Sequence, residues 1–142
     1  MEGFIPANPQ HTTAETPGKD KIGKYSLPID KFEYTYMRPQ ESSTRADVRY
    51  FTLTDKKGSG IKVSAYYEEP FMFSALPYTP FMLDKFTHVA DVNRDNDITV
   101  NVDSSQYGIG GDMPGQAFVR DKYQVKAGTK QSLSFLVEPY TK

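Results

Sequence analysis

Period-two alternation dominates the chain from residue 47 onward. In residues 47–53, Val48 and Tyr50 share one face and Asp47 and Arg49 the other, which predicts a strand. Lys56-Lys57-Gly58-Ser59-Gly60 reads as a turn. Ile61, Val63, Ala65 and Tyr67 then mark the inward face of the next strand. Phe71-Met72-Phe73-Ser74-Ala75 predicts a further strand after Pro70. Ile98, Val100 and Val102 alternate with Thr99, Asn101 and Asp103. Leu133, Phe135 and Val137 repeat the pattern after the turn Lys126-Ala127-Gly128-Thr129. Strands rich in β-branched and aromatic residues, with turns at this spacing, predict an all-β sandwich. One short helix is expected near residues 80–88: Thr79 suits the N-cap, Pro80 the first helical position, and His88 the C-terminal carbonyls. Residues 1–20, with Pro6, Pro9 and Pro17 and no periodicity, read as an extended tail or linker, leaving residues 21–142 as one domain.

Composition narrows the function classes. The chain has 142 residues, 18 acidic and 17 basic, for a net charge of -1. That balance offers no clustered positive charge for nucleic acid or an anionic membrane. There is no cysteine, so thiolate metal sites and thiol nucleophiles are excluded. Two histidines, His11 and His88, are too few for a three-histidine zinc site. The first residues lack the features of a signal peptide, and the apolar stretch 70–83 carries three prolines and is too short to span a bilayer. A soluble protein is expected, cytoplasmic or periplasmic.

Several motifs suggest chemistry and fail on inspection. Residues 91–97 space oxygen ligands like the start of a calcium loop, but Asn96 replaces the glycine of the sharp turn. Val102 stands where a bidentate glutamate is needed. Glu68 and Glu69 are adjacent on an extended chain and point to opposite faces, so they cannot share a substrate. Gly108-Ile109-Gly110-Gly111-Asp112 leads into Met113-Pro114-Gly115, not into a helix N-terminus, so a phosphate cradle has no support. The run describes instead a long loop flanked by Tyr107 and Phe118, whose aromatic faces suit a sugar.

Four ordered motifs carry a resemblance. Tyr36-Met37-Arg38-Pro39-Gln40-Glu41, followed by Arg45, Asp47, Val48 and Arg49, resembles the Y-x-R-P-Q-E…R-x-D-V-R signature of the C-terminal small-chain domain of bacterial β-galactosidases of glycoside hydrolase family 2. Phe73-Ser74-Ala75 to Pro77-Tyr78 resembles its F-S-A-x-P-Y stretch, and Leu83 to Thr87-His88 its helix ending in T-H. Asn101-Val102-Asp103 with residues 108–112 resembles its N-x-D…G-x-G-G-D loop. Tyr123 and Ala127-Gly128 match the closing strand and turn.

The resemblance implies part of an antiparallel supersandwich, of the galactose mutarotase-like kind, and a parent enzyme that hydrolyses β-galactosides with retention. That reaction uses two carboxylates about 5 Å apart. In the family these lie on a (β/α)₈ barrel of roughly 250 residues, which this chain cannot contain. The chain alone is therefore expected to be inactive. Its implied partners are the catalytic barrel, in the same or a separate chain, and a β-galactoside-type sugar. No cofactor site is evident in this chain; the resemblance implies divalent or monovalent cations for the parent enzyme alone. In this reading Arg38, Pro39, Gln40 and Glu41 and the 108–116 loop face the barrel. Asp112 and Met113 stand near the sugar, with Tyr107 and Phe118 beside them. The alternative, purely structural role for Arg38, Glu41, Arg45 and Asp47 is an ion-pair network that fixes the loop, which Gly110 and Gly111 make pliable. The family loop carries a tryptophan as one wall of the sugar pocket; this chain has none, and Met113-Pro114-Gly115 stands in that stretch. Two alternatives remain: a free-standing carbohydrate-binding sandwich using Tyr107, Phe118 and Tyr123, or the small subunit of a two-chain enzyme. The second predicts a large apolar patch on one face.

Overall fold

Strands form where the alternation is strong. The computed structural model describes residues 2–5, 23–67, 69–107 and 119–142. Its strands are β1 (Glu2–Ile5), β2 (Gly23–Ser26), β3 (Arg45–Val48), β4 (Tyr50–Thr54), β5 (Ser59–Ala65), β6 (Phe71–Leu76), β7 (Thr99–Asp103) and β8 (Phe135–Thr141). Two short helices, α1 (Ile29–Phe32) and α2 (Pro80–Lys85), and 3-10 turns at Val89–Asp91 and Asp121–Tyr123 connect them. The strands build two antiparallel sheets, one ordered β2-β1-β4-β5-β8 and one β3-β6-β7. This is the expected all-β sandwich. Within the stretch 1–20 expected as a tail, Glu2–Ile5 pair between β2 and β4. Residues 6–20 lie outside the described residues.

The core lies between the sheets. Phe51 of β4 and Val63 of β5 meet Val48 of β3 and Phe71, Phe73 and Ala75 of β6, all buried. The rings of Phe51 and Phe73 stack 4.2 Å apart, and Phe32 of α1 stacks on Phe73 at 5.5 Å. β6 is the middle strand of the smaller sheet, and of its six residues only Met72 is not fully buried. A central strand covered on both faces has no reason to alternate. A second cluster joins Leu83 of α2 to Leu76 and Tyr78, with Val92 against it. Burial raises the Tyr78 phenol above its ordinary value, helped by the nearby Glu33 carboxylate.

Three expectations need correction. Residues 47–53 are not one strand: β3 ends in the small sheet at Val48 and β4 begins in the large sheet at Tyr50, with Arg49 at the corner. The buried pair is consequently Val48 and Phe51, not Val48 and Tyr50. The inward stripe of β5 holds at Val63 but fails at Ile61, which is exposed, and at Tyr67, which lies past the strand end at φ 54°. The helix begins as read, with Thr79 Oγ1 accepting from the Met82 amide at 3.2 Å. It ends earlier, because Phe86 turns extended (φ -112°, ψ 150°), and His88 leads into the following 3-10 turn. Its Nδ1 lies 3.1 Å from Thr87 Oγ1 and 3.8 Å from Asp91 Oδ2.

Candidate functional site

The segment 36–47 is held by contacts other than the expected ion pairs. Ser42 and Ser43 are buried, and Ser43 adopts φ 65°. That left-handed turn aims its carbonyl at Arg45, whose Nη1 donates to it at 2.9 Å. The same guanidinium sits 4.5 Å from the centre of the Phe32 ring, a cation–π contact. Burial lowers the Arg45 guanidinium below its ordinary value. Glu41 Oε1 accepts from Asn101 Nδ2 at 3.3 Å, and the same amide donates to Ser74 Oγ at 3.3 Å. Pro39 is buried, whereas Arg38 and Gln40 are exposed. Among the described residues, no ion pair links Arg38, Glu41, Arg45 and Asp47. The expected network is replaced by a carbonyl, a ring and an amide.

Asp47 lies where β3 loses register against β6, between the pairs Arg45–Phe73 and Val48–Phe71. This bulge carries Asp47 at φ 55°, in the left-handed region. The bulge borders a cleft of about 280 Å³, whose walls include Asp47, Met72, Gln106, Lys122, Tyr123 and Gln124. Its elements are the bulge, β6, the segment after β7 and the 3-10 turn Asp121–Tyr123. Two amides hold these walls in place. Gln106 Nε2 donates to Thr44 Oγ1 at 3.5 Å, and Gln124 Nε2 donates to the Val119 carbonyl at 2.6 Å. The Tyr123 ring is partly exposed, with the Lys122 ammonium 4.7 Å from its centre.

Of the residues singled out by sequence, the structure brings Asp47 and Tyr123 to one cleft. Tyr107 is exposed just beyond its wall. Gly110, Gly111, Asp112, Met113 and Phe118 lie outside the described residues. Sequence reasoning missed Gln106, Lys122 and Gln124, which belong to irregular segments and to no recognisable motif. The calcium-like stretch 91–97 is tied back onto the fold. The Asp95 amide donates to the Pro77 carbonyl at 2.8 Å, and Arg94 pairs with Glu33 at 3.3 Å across from the Tyr78 ring. Among the described residues, no three His, Cys, Asp or Glu side chains gather as metal ligands, and no helix is long and apolar enough to cross a membrane.

One further surface stands out. β8 is an edge strand of the larger sheet, and Phe135, Leu136 and Val137 are 42%, 47% and 52% exposed, with Ile61 of β5 beside them. Consecutive residues of a strand face opposite ways, so both faces of β8 are uncovered.

The described residues thus form a two-sheet antiparallel sandwich with a cleft beside the β3 bulge and an apolar edge strand. The chain belongs to the beta galactosidase small chain family, whose model matches residues 18–137. It is similar to the beta-galactosidase of Halalkalibacterium halodurans, at 38% identity over 103 residues, 72% of this chain and 10% of that protein. The beta-galactosidase of Streptococcus thermophilus is 30% identical over 131 residues, 89% of this chain and 13% of the relative. Beta-galactosidase BgaC of Bifidobacterium adolescentis is 30% identical over 132 residues, 92% of this chain and 12% of the relative. The chain thus spans only 10% to 13% of the length of these curated relatives.

Proposed function

We propose that this chain is a non-catalytic C-terminal domain of a family-2 β-galactosidase, packing beside the catalytic barrel and bordering its sugar pocket as part of a supersandwich. The match to the small-chain family over residues 18–137 carries the reading. Size agrees with it: a barrel takes roughly 250 residues, more than the whole chain. The uncovered faces of β8 agree as well, since a domain seated on a larger body keeps apolar surface for that contact. In this reading Asp112 and Met113 lie near the sugar, and Arg38, Pro39, Gln40 and Glu41 face the barrel with the 108–116 loop.

The test is a graft. This chain replaces the matching segment of the Streptococcus thermophilus enzyme, and hydrolysis of a chromogenic galactoside is followed. Activity is expected in the graft, none in the isolated chain and none in the enzyme lacking the segment. Asp112→Ala in the graft is expected to raise KM or lower kcat several-fold. Hydrolysis by the isolated chain, or full activity without the segment, would overturn the proposal. The cleft beside Tyr123 favours a second reading, a free-standing carbohydrate-binding sandwich using Tyr107, Phe118 and Tyr123. An immunoblot of cell extract separates the two, since the free-standing form runs at the mass of this chain and the domain runs with its enzyme. A small subunit of a two-chain enzyme also runs at that mass, but purifies with a catalytic chain.

A further inference from the structure

The Asp47 carboxylate has no hydrogen-bond or ion-pair partner among the described residues, yet it sits on a left-handed backbone (φ 55°) in a bulge that lines a cleft. Aspartate is among the few residues that take up this conformation readily, and a bulge re-aims the side chain it carries. The facing wall presents Lys122, Tyr123 and Gln124, and Gln106 completes the ring. Because the amide nitrogens of Gln106 and Gln124 are held by Thr44 and Val119, their carbonyl oxygens are left as acceptors. Together with Asp47 they make a cleft rich in acceptors, which suits a ligand rich in hydroxyl donors. Lys122 works against a bound cation and Asp47 against a bound anion. A volume of about 280 Å³ admits one sugar ring and little more. The partly exposed Tyr123 ring adds an apolar face for the C–H side of such a ring.

We propose that this cleft is a sugar subsite in its own right, taking one neutral monosaccharide unit. It deepens the second reading above, with which it shares the cleft and Tyr123, and it takes its galactoside probe from the first. Isotope-labelled full chain is titrated with methyl β-galactoside into the tens of millimolar and followed by NMR. Saturable shifts are expected at the amides of Asp47, Gln106, Lys122, Tyr123 and Gln124. Asp47→Asn, which tolerates the same backbone conformation, is expected to weaken binding several-fold with the rest of the spectrum unchanged. Tyr123→Ala is expected to weaken it likewise. Shifts confined to residues 108–118, shifts that never saturate, or binding untouched by both variants would overturn the proposal. Equal shifts with glycine betaine would also overturn it, as they would make the cleft a zwitterion site. Failure here leaves the graft result untouched, and failure of the graft leaves the titration intact.

Discussion

Arg45 closes over a backbone that would otherwise bury an unmet acceptor. Ser43 is fully buried at φ 65°, and the guanidinium caps its carbonyl while lying on the Phe32 ring. A hydrogen bond from a charged donor contributes about 1.5–3 kcal/mol, and a cation–π contact about 0.5–2 kcal/mol. Arg45→Met keeps the apolar stem and removes both, so a loss of about 2 kcal/mol is expected in urea unfolding. Arg45→Lys should restore only part of it, because an ammonium cannot lie flat on the ring while reaching the carbonyl. A loss below about 0.5 kcal/mol for Arg45→Met would show that these contacts hold little. The same residue shows how far sequence reading reaches at this scale. The motif shows that a charge stands at position 45, but not what it meets. Its partners depend on the left-handed turn at Ser43 and on a ring from α1, and neither leaves a periodic trace.

Among the elements, the turn between β4 and β5 was legible, although Ser59 and Gly60, read as its last residues, already belong to β5. Asp55 Oδ1 accepts from the Lys57 and Ser59 amides at 2.8 and 3.0 Å, and Gly58 takes φ 89°. Gly60 plays a different part: a Cβ there would fall 1.9 Å from the Leu53 carbonyl oxygen, on the paired strand. Gly60→Ala should therefore destabilise by about 1–3 kcal/mol, as overpacking against backbone does. Gly58→Asn should cost clearly less, since asparagine accepts positive φ. Thermal unfolding of the two variants checks the order, and equal melting points would refute it. β6, β7 and the start of α2 were equally legible. The corner at Arg49 was not, because alternation in two short strands of different sheets reads as alternation in one. α1 was missed for a related reason: a single turn from Ile29 to Phe32 is too short to show a helical period.

At the scale of the whole fold, the decisive asymmetry among the described residues is five strands against three. The smaller sheet covers β4 and the middle of β5 and leaves β8 bare, so the alternation at the end of the chain marks a strand without marking a core. The candidate site was legible only in part for a similar reason. Asp47 and Tyr123 are 76 positions apart in sequence, and only the bulge and the 3-10 turn bring them to one cleft. Val137 is half exposed, so Val137→Lys should change the stability of the isolated chain by no more than about 0.5 kcal/mol. It should nonetheless lower the activity of the graft. A variant as active in the graft as the parent residue would remove β8 from the docking surface.

The pairing of β5 with β8 also sets the order in which the protein can be made. Phe135 pairs with Ala65, about 70 residues earlier, so this ladder closes a long loop and belongs to the slow steps of folding. The β4–β5 hairpin is complete once Ala65 is made, yet the outer edge of β5 stays open until residues 135–141 have left the ribosome. During that interval the edge, with Ile61 and Val63 beside it, is the nascent chain's exposed liability, and a chaperone that shields extended apolar strands has its natural client there.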